Sequence, residues 1–249
     1  MATHAIRTAT SDDRQYFGTA STWDPRSQCR FIAAHPDAEP ELWSAYLDGA
    51  RTGYRKYGAE SALEYERMYD GRSTALFFVA IAPDGTVAGG LRAQGPYHNA
   101  DEAHATVEWS GRPGAAAVQA MIRDRIPFGV VEMKAAWVAD GVPRRGELTR
   151  SLAGIGCRTT EILDVQFLMA TAAEHVLELW ESSGGVVATH IPPTPYPDGR
   201  YLTRMMWWDR TTLNGRTAVS GPGRNRRARL RAPRSAVEHY ELIRLRRSI

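Results

Sequence analysis

The sequence predicts a mixed α/β fold in which a central sheet carries helices on both faces. Three observations lead there. Residues 75–92, ALFFVAIAPDGTVAGGLR, set apolar runs on either side of Pro83-Asp84-Gly85, the composition of a tight hairpin whose glycine takes a positive φ. Residues 129–138, GVVEMKAAWV, form a second strand-like run with one carboxylate inside it. Between Glu41 and Trp208, segments of helical and strand period alternate without an internal repeat.

Taken in order, residues 1–40 hold Asp12, Asp13, Pro25, Pro36 and Pro40 with little periodicity, and read as an irregular N-terminal arm. From Glu41, Leu42, Trp43, Tyr46, Leu47, Ala50, Tyr54 and Tyr57 recur at helical steps, so an amphipathic helix is expected there, extending toward Met68. The hairpin strands follow near 76–82 and 87–92. A polar stretch then runs to Gly114, and AAAVQAMIRDR is rich in helix formers. After the strand at 129–138, Asp140-Gly141-Val142-Pro143 breaks the pattern. Residues 144–160 read as a helix, 162–170 as a strand, and 172–183 as a helix stopped by Gly184-Gly185. Strands at 186–190 and 201–208 close a domain spanning 41–210. Residues 211–249 are a basic extension in which 236–245 supports a short helix.

Composition narrows the class. With 249 residues and 43% apolar content, the chain can bury a substantial core. No apolar run approaches the about 20 residues that span a bilayer, and the N-terminus lacks the apolar middle of a signal peptide, so a cytoplasmic protein is expected. Cys29 and Cys157 lie far apart and are expected to remain thiols. The net charge of +3 is uneven, because arginines crowd the segment from Arg224 to Arg247. Such a tail suits an acidic carrier protein, the phosphates of a nucleotide-bearing substrate, or, as the less favoured reading, nucleic acid; its bland counterpart is a solvated extension. The chain has no Gly-x-Ser-x-Gly elbow, P-loop or Cys-x-x-Cys pair.

An early helix bearing Arg51 and Tyr54, an acidic stretch with Glu66 and Asp70, a hairpin ending in Arg92, and a strand carrying Glu132 stand in a distinctive order. From Trp43 to Trp208 the chain resembles the GNAT acyltransferase superfamily, and within it the acyl-homoserine-lactone (autoinducer) synthases and the N-acyl amino acid synthases. The resemblance implies splayed parallel strands that admit an acyl thioester, acyl-CoA or an acyl carrier protein as donor, and a small-molecule amine as acceptor. It implies no metal. The chain departs from the family pattern at three places. Glu132 is followed by Met133-Lys134-Ala135 rather than by a serine and an arginine, PRRGELTR retains only Gly146 of the acetyltransferase phosphate turn, and Trp180 stands where a tyrosine often precedes the helix-ending glycine.

Acyl transfer to an amine needs a base, and Glu132 is the candidate, acting directly or through water. Its alternatives are a solvated face or an ion pair with Arg92 or Lys134. Simple alternation puts Val131, Met133 and Ala135 on one face and Val130, Glu132, Lys134 and Ala136 on the other. Arg51, Tyr54, Asp70 and Arg92 are the candidate acceptor-binding residues, the charged three forming either an electrostatic cluster for the acceptor or a structural ion-pair network. Arg144, Arg145 and Gly146 precede a helix and are expected near the donor's phosphates, or as exposed arginines after a proline turn. His98 and His104, with Asp101, Glu102 and Glu108, lie in a stretch read as a polar surface loop in preference to a metal or acid/base site. Besides an acyltransferase, the pattern admits a GNAT-fold binding protein with eroded catalytic parts.

Overall fold

The computed structural model describes residues 18–213. The hairpin forms where its composition directs, with β3 (Leu76–Ile81) and β4 (Val87–Gln94) joined through Gly85 at φ 85°. Ahead of it come β1 (Thr19–Asp24), β2 (Cys29–Ala34), α1 (Pro40–Lys56), α2 (Glu60–Leu63) and α3 (Tyr65–Met68). After it come α4 (His104–Glu108), α5 (Ala115–Arg123), β5 (Val130–Val138), α6 (Arg145–Gly156), α7 (Thr159–Ile162) and β6 (Phe167–Ala173). The described chain closes with α8 (Leu177–Ser182), β7 (Val186–Val187), β8 (Thr194–Pro195) and β9 (Leu202–Asp209). Among the described residues the strands make one nine-stranded sheet ordered β1-β2-β3-β4-β5-β6-β9-β7, with β8 also on β9. Every pairing is antiparallel except β5 with β6.

Several expectations are corrected. Residues 19–34 are not an irregular arm but a β-hairpin that extends the sheet, because Cys29, Phe31 and Ala33 alternate inward against Arg30 outward. That alternation is too short to stand out among the surrounding prolines. The long helix from Glu41 breaks at Lys56, and Glu64 at φ 50° separates two short helical turns. Residues 162–170 and 172–183 shift by a few positions, since Ile162 ends a helix and β6 continues to Ala173. The basic tail and its expected helix lie outside the described residues.

The two faces of the sheet are covered differently. On one face α6 lays Leu148 and Leu152 over Phe78, Leu91, Met133 and Leu168. On the other face, α1 packs Leu42, Trp43, Tyr46, Leu47 and Ala50 on Phe77, Val79 and Trp137, while α4 and α5 cover β6 and β9 with Trp109, Val118 and Ile122. Two separate apolar clusters therefore share that face. Glu132 and Lys134 of β5 lie at the seam between them.

A bulge in β5 opens the sheet next to that seam. Ala135 has φ 51°, and its carbonyl accepts a hydrogen bond from the Tyr46 hydroxyl at 2.8 Å. Gly90 opposes Trp137 while Arg92 opposes Lys134, so β5 spends one more residue than β4 across this interval. The extra residue overturns simple alternation: Ala135 joins Trp137 on the α1 face, and Ala136 and Val138 turn to the α6 face. Pairing of β5 with β6 ends at Glu132 opposite Met169, and the two parallel strands separate beyond it.

Gly49 shows how tightly α1 is seated. A mid-helix glycine is about 1 kcal/mol worse than alanine, yet a Cβ at this position would overlap the Trp137 ring. Gly49→Ala is therefore expected to destabilise the protein by about 1–3 kcal/mol despite its better helix propensity. A lowered urea midpoint at unchanged m-value is the reading that checks this.

Candidate active site

The seam between the two apolar clusters holds a connected group of polar side chains. Glu132 is 0% exposed at the last position where β5 pairs with β6. Its Oε2 accepts hydrogen bonds from the Tyr97 hydroxyl at 2.6 Å and from the His104 backbone N–H at 2.8 Å, while Oε1 has no protein donor. Burial and the adjoining Glu132 charge push the Tyr97 phenol well above its ordinary range, so it stays a donor.

His104 and Glu108 lie one turn apart on α4 and face this carboxylate. Burial leaves His104 4% and Glu108 7% exposed. Glu108 Oε1 accepts from Thr171 Oγ1 of β6 at 2.8 Å and lies 3.6 Å from His104 Nε2; its Oε2 has no donor. Two carboxylates buried side by side oppose each other's ionisation. Burial, followed by the Glu132 charge, raises the Glu108 carboxyl to about 8.

Glu64, in its left-handed backbone position, reaches the same group from the opposite wall. Its Oε2 lies 2.8 Å from His104 Nδ1 and 3.0 Å from Lys134 Nζ. Burial alone would raise the Glu64 carboxyl, but the His104 hydrogen bond and the Lys134 charge outweigh it and hold Glu64 well below the usual range. On the other side of the ring, His104 Nε2 lies 2.7 Å from the Tyr196 hydroxyl, and the ring tautomer sets which of the two donates. Tyr196 is half-buried, and its segment is fixed over α4 by Trp109 Nε1 donating to the Pro192 carbonyl and Thr194 Oγ1 donating to the Glu108 carbonyl.

Arg92 occupies the same face, 1% exposed, and donates to Ser73 O, Thr74 Oγ1 and Gln94 Oε1. All of these are neutral acceptors. No carboxylate among the described residues lies within ion-pair distance of its guanidinium, and Nε is unpartnered.

The sequence-predicted residues fall into three places. Glu132 and Arg92 lie on adjacent strands of one face, with half-buried Tyr54 of α1 on the same side. Burial, partly opposed by the Arg92 charge, raises the Tyr54 phenol to about 12. Arg51 and Asp70 are exposed and do not join them: Arg51 stacks over the Tyr65 ring at 4.9 Å, and Asp70 accepts from the Arg72 backbone N–H at 3.1 Å. Arg144, Arg145 and Gly146 are exposed at the start of α6, where Arg144 takes φ 57° and donates to the Arg26 carbonyl at 3.2 Å. His104 and Glu108, expected in a surface loop, are instead buried on a helix. Their i, i+4 spacing within HATVE was the available signal. Glu64, Tyr97 and Tyr196 had none, because chain segments far apart in sequence bring them in.

On the α6 face, beside the point where β5 and β6 part, Leu91, Met133, Ala153, Gly156, Leu168, Trp180 and Trp208 line a slot of about 10 Å³. That is room for roughly one water molecule. The Trp180 and Trp208 rings meet edge to face across it, 6.2 Å apart. No group of three or more His, Cys, Asp or Glu among the described residues is arranged to hold a metal ion, and no helix is long and apolar enough to cross a membrane.

Comparison with known proteins gives relatives in sequence and neighbours in fold. No protein-family model matches the chain. Uncharacterized protein Rv1356c of Mycobacterium tuberculosis and Uncharacterized protein Mb1391c of Mycobacterium bovis are each 45% identical over 213 residues, covering 86% of this chain and 81% of theirs. Among solved structures, FeeM, an N-acyl amino acid synthase from uncultured soil microbes, superposes with a TM-score of 0.53 at 13% identity, covering 71% of this chain and 95% of FeeM. An acyl-CoA N-acyltransferase from Pseudomonas aeruginosa gives 0.47 at 14% identity, covering 72% and 98%. The mixed sheet with its flanking helices is the GNAT acyltransferase fold.

The protonation of Glu108 makes stability depend on pH in a definite direction. Between about pH 4.5 and 8 the folded protein holds a proton on Glu108 that the unfolded chain has released, so stability falls as pH rises through this window. The expected slope from this group is roughly 1.4 kcal/mol per pH unit. Urea titrations at pH 5, 6, 7 and 8 should show it in the wild type and find it flattened in Glu108→Gln.

Proposed function

The chain belongs to the family of the mycobacterial proteins Rv1356c and Mb1391c, and from that premise and its fold we propose that it is an N-acyltransferase, moving an acyl group from a thioester to the amine of a small molecule. One observation carries the reading. At the point where β5 leaves β6, a buried carboxylate cluster faces one side of the sheet while an apolar slot lined by Ala153 and Gly156 of α6 faces the other. A donor thioester lying in the divergence meets an amine held by the carboxylates.

In this reading the donor enters from the α6 face. Arg144, Arg145 and the backbone at Gly146 receive its phosphates, aided by the partial positive charge at a helix start. Its acyl chain lies along Met133, Leu168 and Trp208, and Trp180 is displaced as it enters. The acceptor enters from the opposite face, between Tyr54 and the Glu132 cluster. Arg92, a buried cation among neutral acceptors, suits a carboxylate on that acceptor, as in an amino acid. The amine loses its proton to the carboxylates around Glu132 and attacks the thioester carbonyl; the C–S bond then breaks, and the thiol leaves with a proton. The donor is acyl-CoA or an acyl carrier protein, and the nearest functional branch is that of the N-acyl amino acid and autoinducer synthases.

A second reading rests on the narrowness of the slot. With Trp180 at the usual tyrosine position and the divergence filled by side chains, the chain also fits a GNAT-fold binding protein without turnover.

Thiol release in the presence of graded acyl donors and amine acceptors separates the two. The acyltransferase reading expects donor-dependent release and a Glu132→Gln loss of about a hundredfold or more in kcat. Unchanged turnover in Glu132→Gln removes the assigned role, and failure of every donor to release its thiol removes the activity. Replacing Arg144 and Arg145 together by alanine is expected to raise the KM for acyl-CoA about tenfold or more with kcat held, since two phosphate contacts are lost. Equal loss in kcat would place the two arginines elsewhere in the mechanism.

A further inference from the structure

The geometry points to Glu108, His104 and Tyr196 as a proton path leading from the buried carboxylates at the β5–β6 divergence to the protein surface, with Glu108 as the group that takes the acceptor's proton. This inference rests on the acyltransferase reading for the identity of the proton, but the path is a property of the fold.

Four features carry it. Glu132, the carboxylate first suggested by the sequence, has one oxygen fixed by two short hydrogen bonds, from Tyr97 and the His104 N–H. With that oxygen held in place and Oε1 left without a protein donor, Glu132 is suited to orient the acceptor rather than to move a proton. Glu108 is the contrasting member. It accepts one neutral hydroxyl, from Thr171, and its buried Oε2 has no donor. His104 Nε2 lies 3.6 Å from Glu108 Oε1 and 2.7 Å from the Tyr196 hydroxyl, so a single ring nitrogen faces both the inner and the outer group. Glu64, itself held by Lys134, stands 2.8 Å from the opposite ring nitrogen, where it stabilises a transient imidazolium.

The charged and titratable groups around Glu108 are His104 on its own helix, Glu132 and Lys134 on β5, Glu64 between α2 and α3, Tyr54 on α1, and Tyr196 ahead of Pro197. Beside burial, the Glu132 charge favours a proton on Glu108 and outweighs the Lys134 charge, which opposes it. The transfer balances simply. Where the pH is high enough for Glu108 to be a carboxylate, near 8 and above, the substrate ammonium N–H breaks as a Glu108 O–H forms, releasing the amine lone pair for attack. Glu108 then returns to carboxylate as its proton passes to His104 Nε2. Tyr196 turns its hydroxyl from donor to acceptor, receives the Nε2 proton and releases its own to solvent. The Nδ1–H bond of His104 stays intact throughout, beside Glu64 Oε2.

The test uses the purified full-length chain and two readouts. In carbon-detected NMR titrations of labelled glutamate carboxyls, the wild type is expected to show one carboxyl titrating near pH 8 that is missing from Glu108→Gln. In thiol-release assays, Glu108→Gln is expected to lower kcat about a hundredfold and abolish the limb of the pH profile that tracks this titration, while Glu108→Asp keeps the limb at reduced rate. Tyr196→Phe is expected to be slow in dilute buffer and to recover when imidazole is added, which a purely structural role would not produce. A Glu108 carboxyl that titrates in the ordinary range, or a Glu108→Gln enzyme that keeps the wild-type pH profile, overturns the inference. Absence of thiol release with every donor would instead sink the acyltransferase reading, and the carboxyl titration would still decide whether Glu108 is the proton store.

Discussion

The hydrogen bond from Tyr46 to the Ala135 carbonyl fixes the feature on which the rest depends, an extra residue in β5. Without it the strand would alternate regularly, Ala135 would face α6, and Trp137 would leave the helix that now seats it. With it, the portion of β5 before the bulge presents Glu132 and Lys134 to a seam between two helical layers, and the portion after it moves away from β6. A single backbone irregularity thus stands between the polar wall of Glu132 and Lys134 and the stretch in which Ala135 and Trp137 pack under α1. Its cost is a left-handed alanine, a conformation that disfavours a Cβ and is held here by a buried phenol.

Burial then gives each member of the polar cluster a distinct character. The same desolvation acts on Glu64, Glu108 and Glu132, yet their partners differ: two cationic or potentially cationic neighbours for Glu64, one hydroxyl for Glu108, and a phenol with a backbone N–H for Glu132. Glu64 and Glu108, carboxyls of one chemical type, thereby shift in opposite directions within one polar cluster. Such a group is costly to bury, because each charge left without its partner destabilises the fold more than an apolar replacement would. Its presence is better explained by chemistry than by stability.

Much of this frame was legible in the sequence, and the boundary of legibility has physical causes. The β3–β4 hairpin, β5 and α1 announce themselves because a period, a turn composition and an apolar run are local properties. Glu132 and Arg92 could be singled out for the same reason, each being a charge in an apolar strand. Alternation misplaced Ala135 and Ala136, since a bulge depends on a contact with Tyr46, 89 residues away. His104 and Glu108 read as polar surface because HATVE is short and follows an acidic turn; they are buried by distant segments, among them β5, β6, Glu64 and the Pro192–Tyr196 stretch. Glu64 and Tyr196 reach the site from loops whose course no periodic pattern records.

The paired indoles of Trp180 and Trp208 have a consequence for any molecule that enters the divergence. The space it requires is already occupied by well-packed protein, so its observed affinity is the difference between its own apolar contacts and those it evicts. A short acyl group replaces little of what two aromatic rings supply, whereas a long one replaces it several times over. Chain length would then be discriminated by a threshold, and the measuring device would be the resident side chains rather than the depth of an open tunnel.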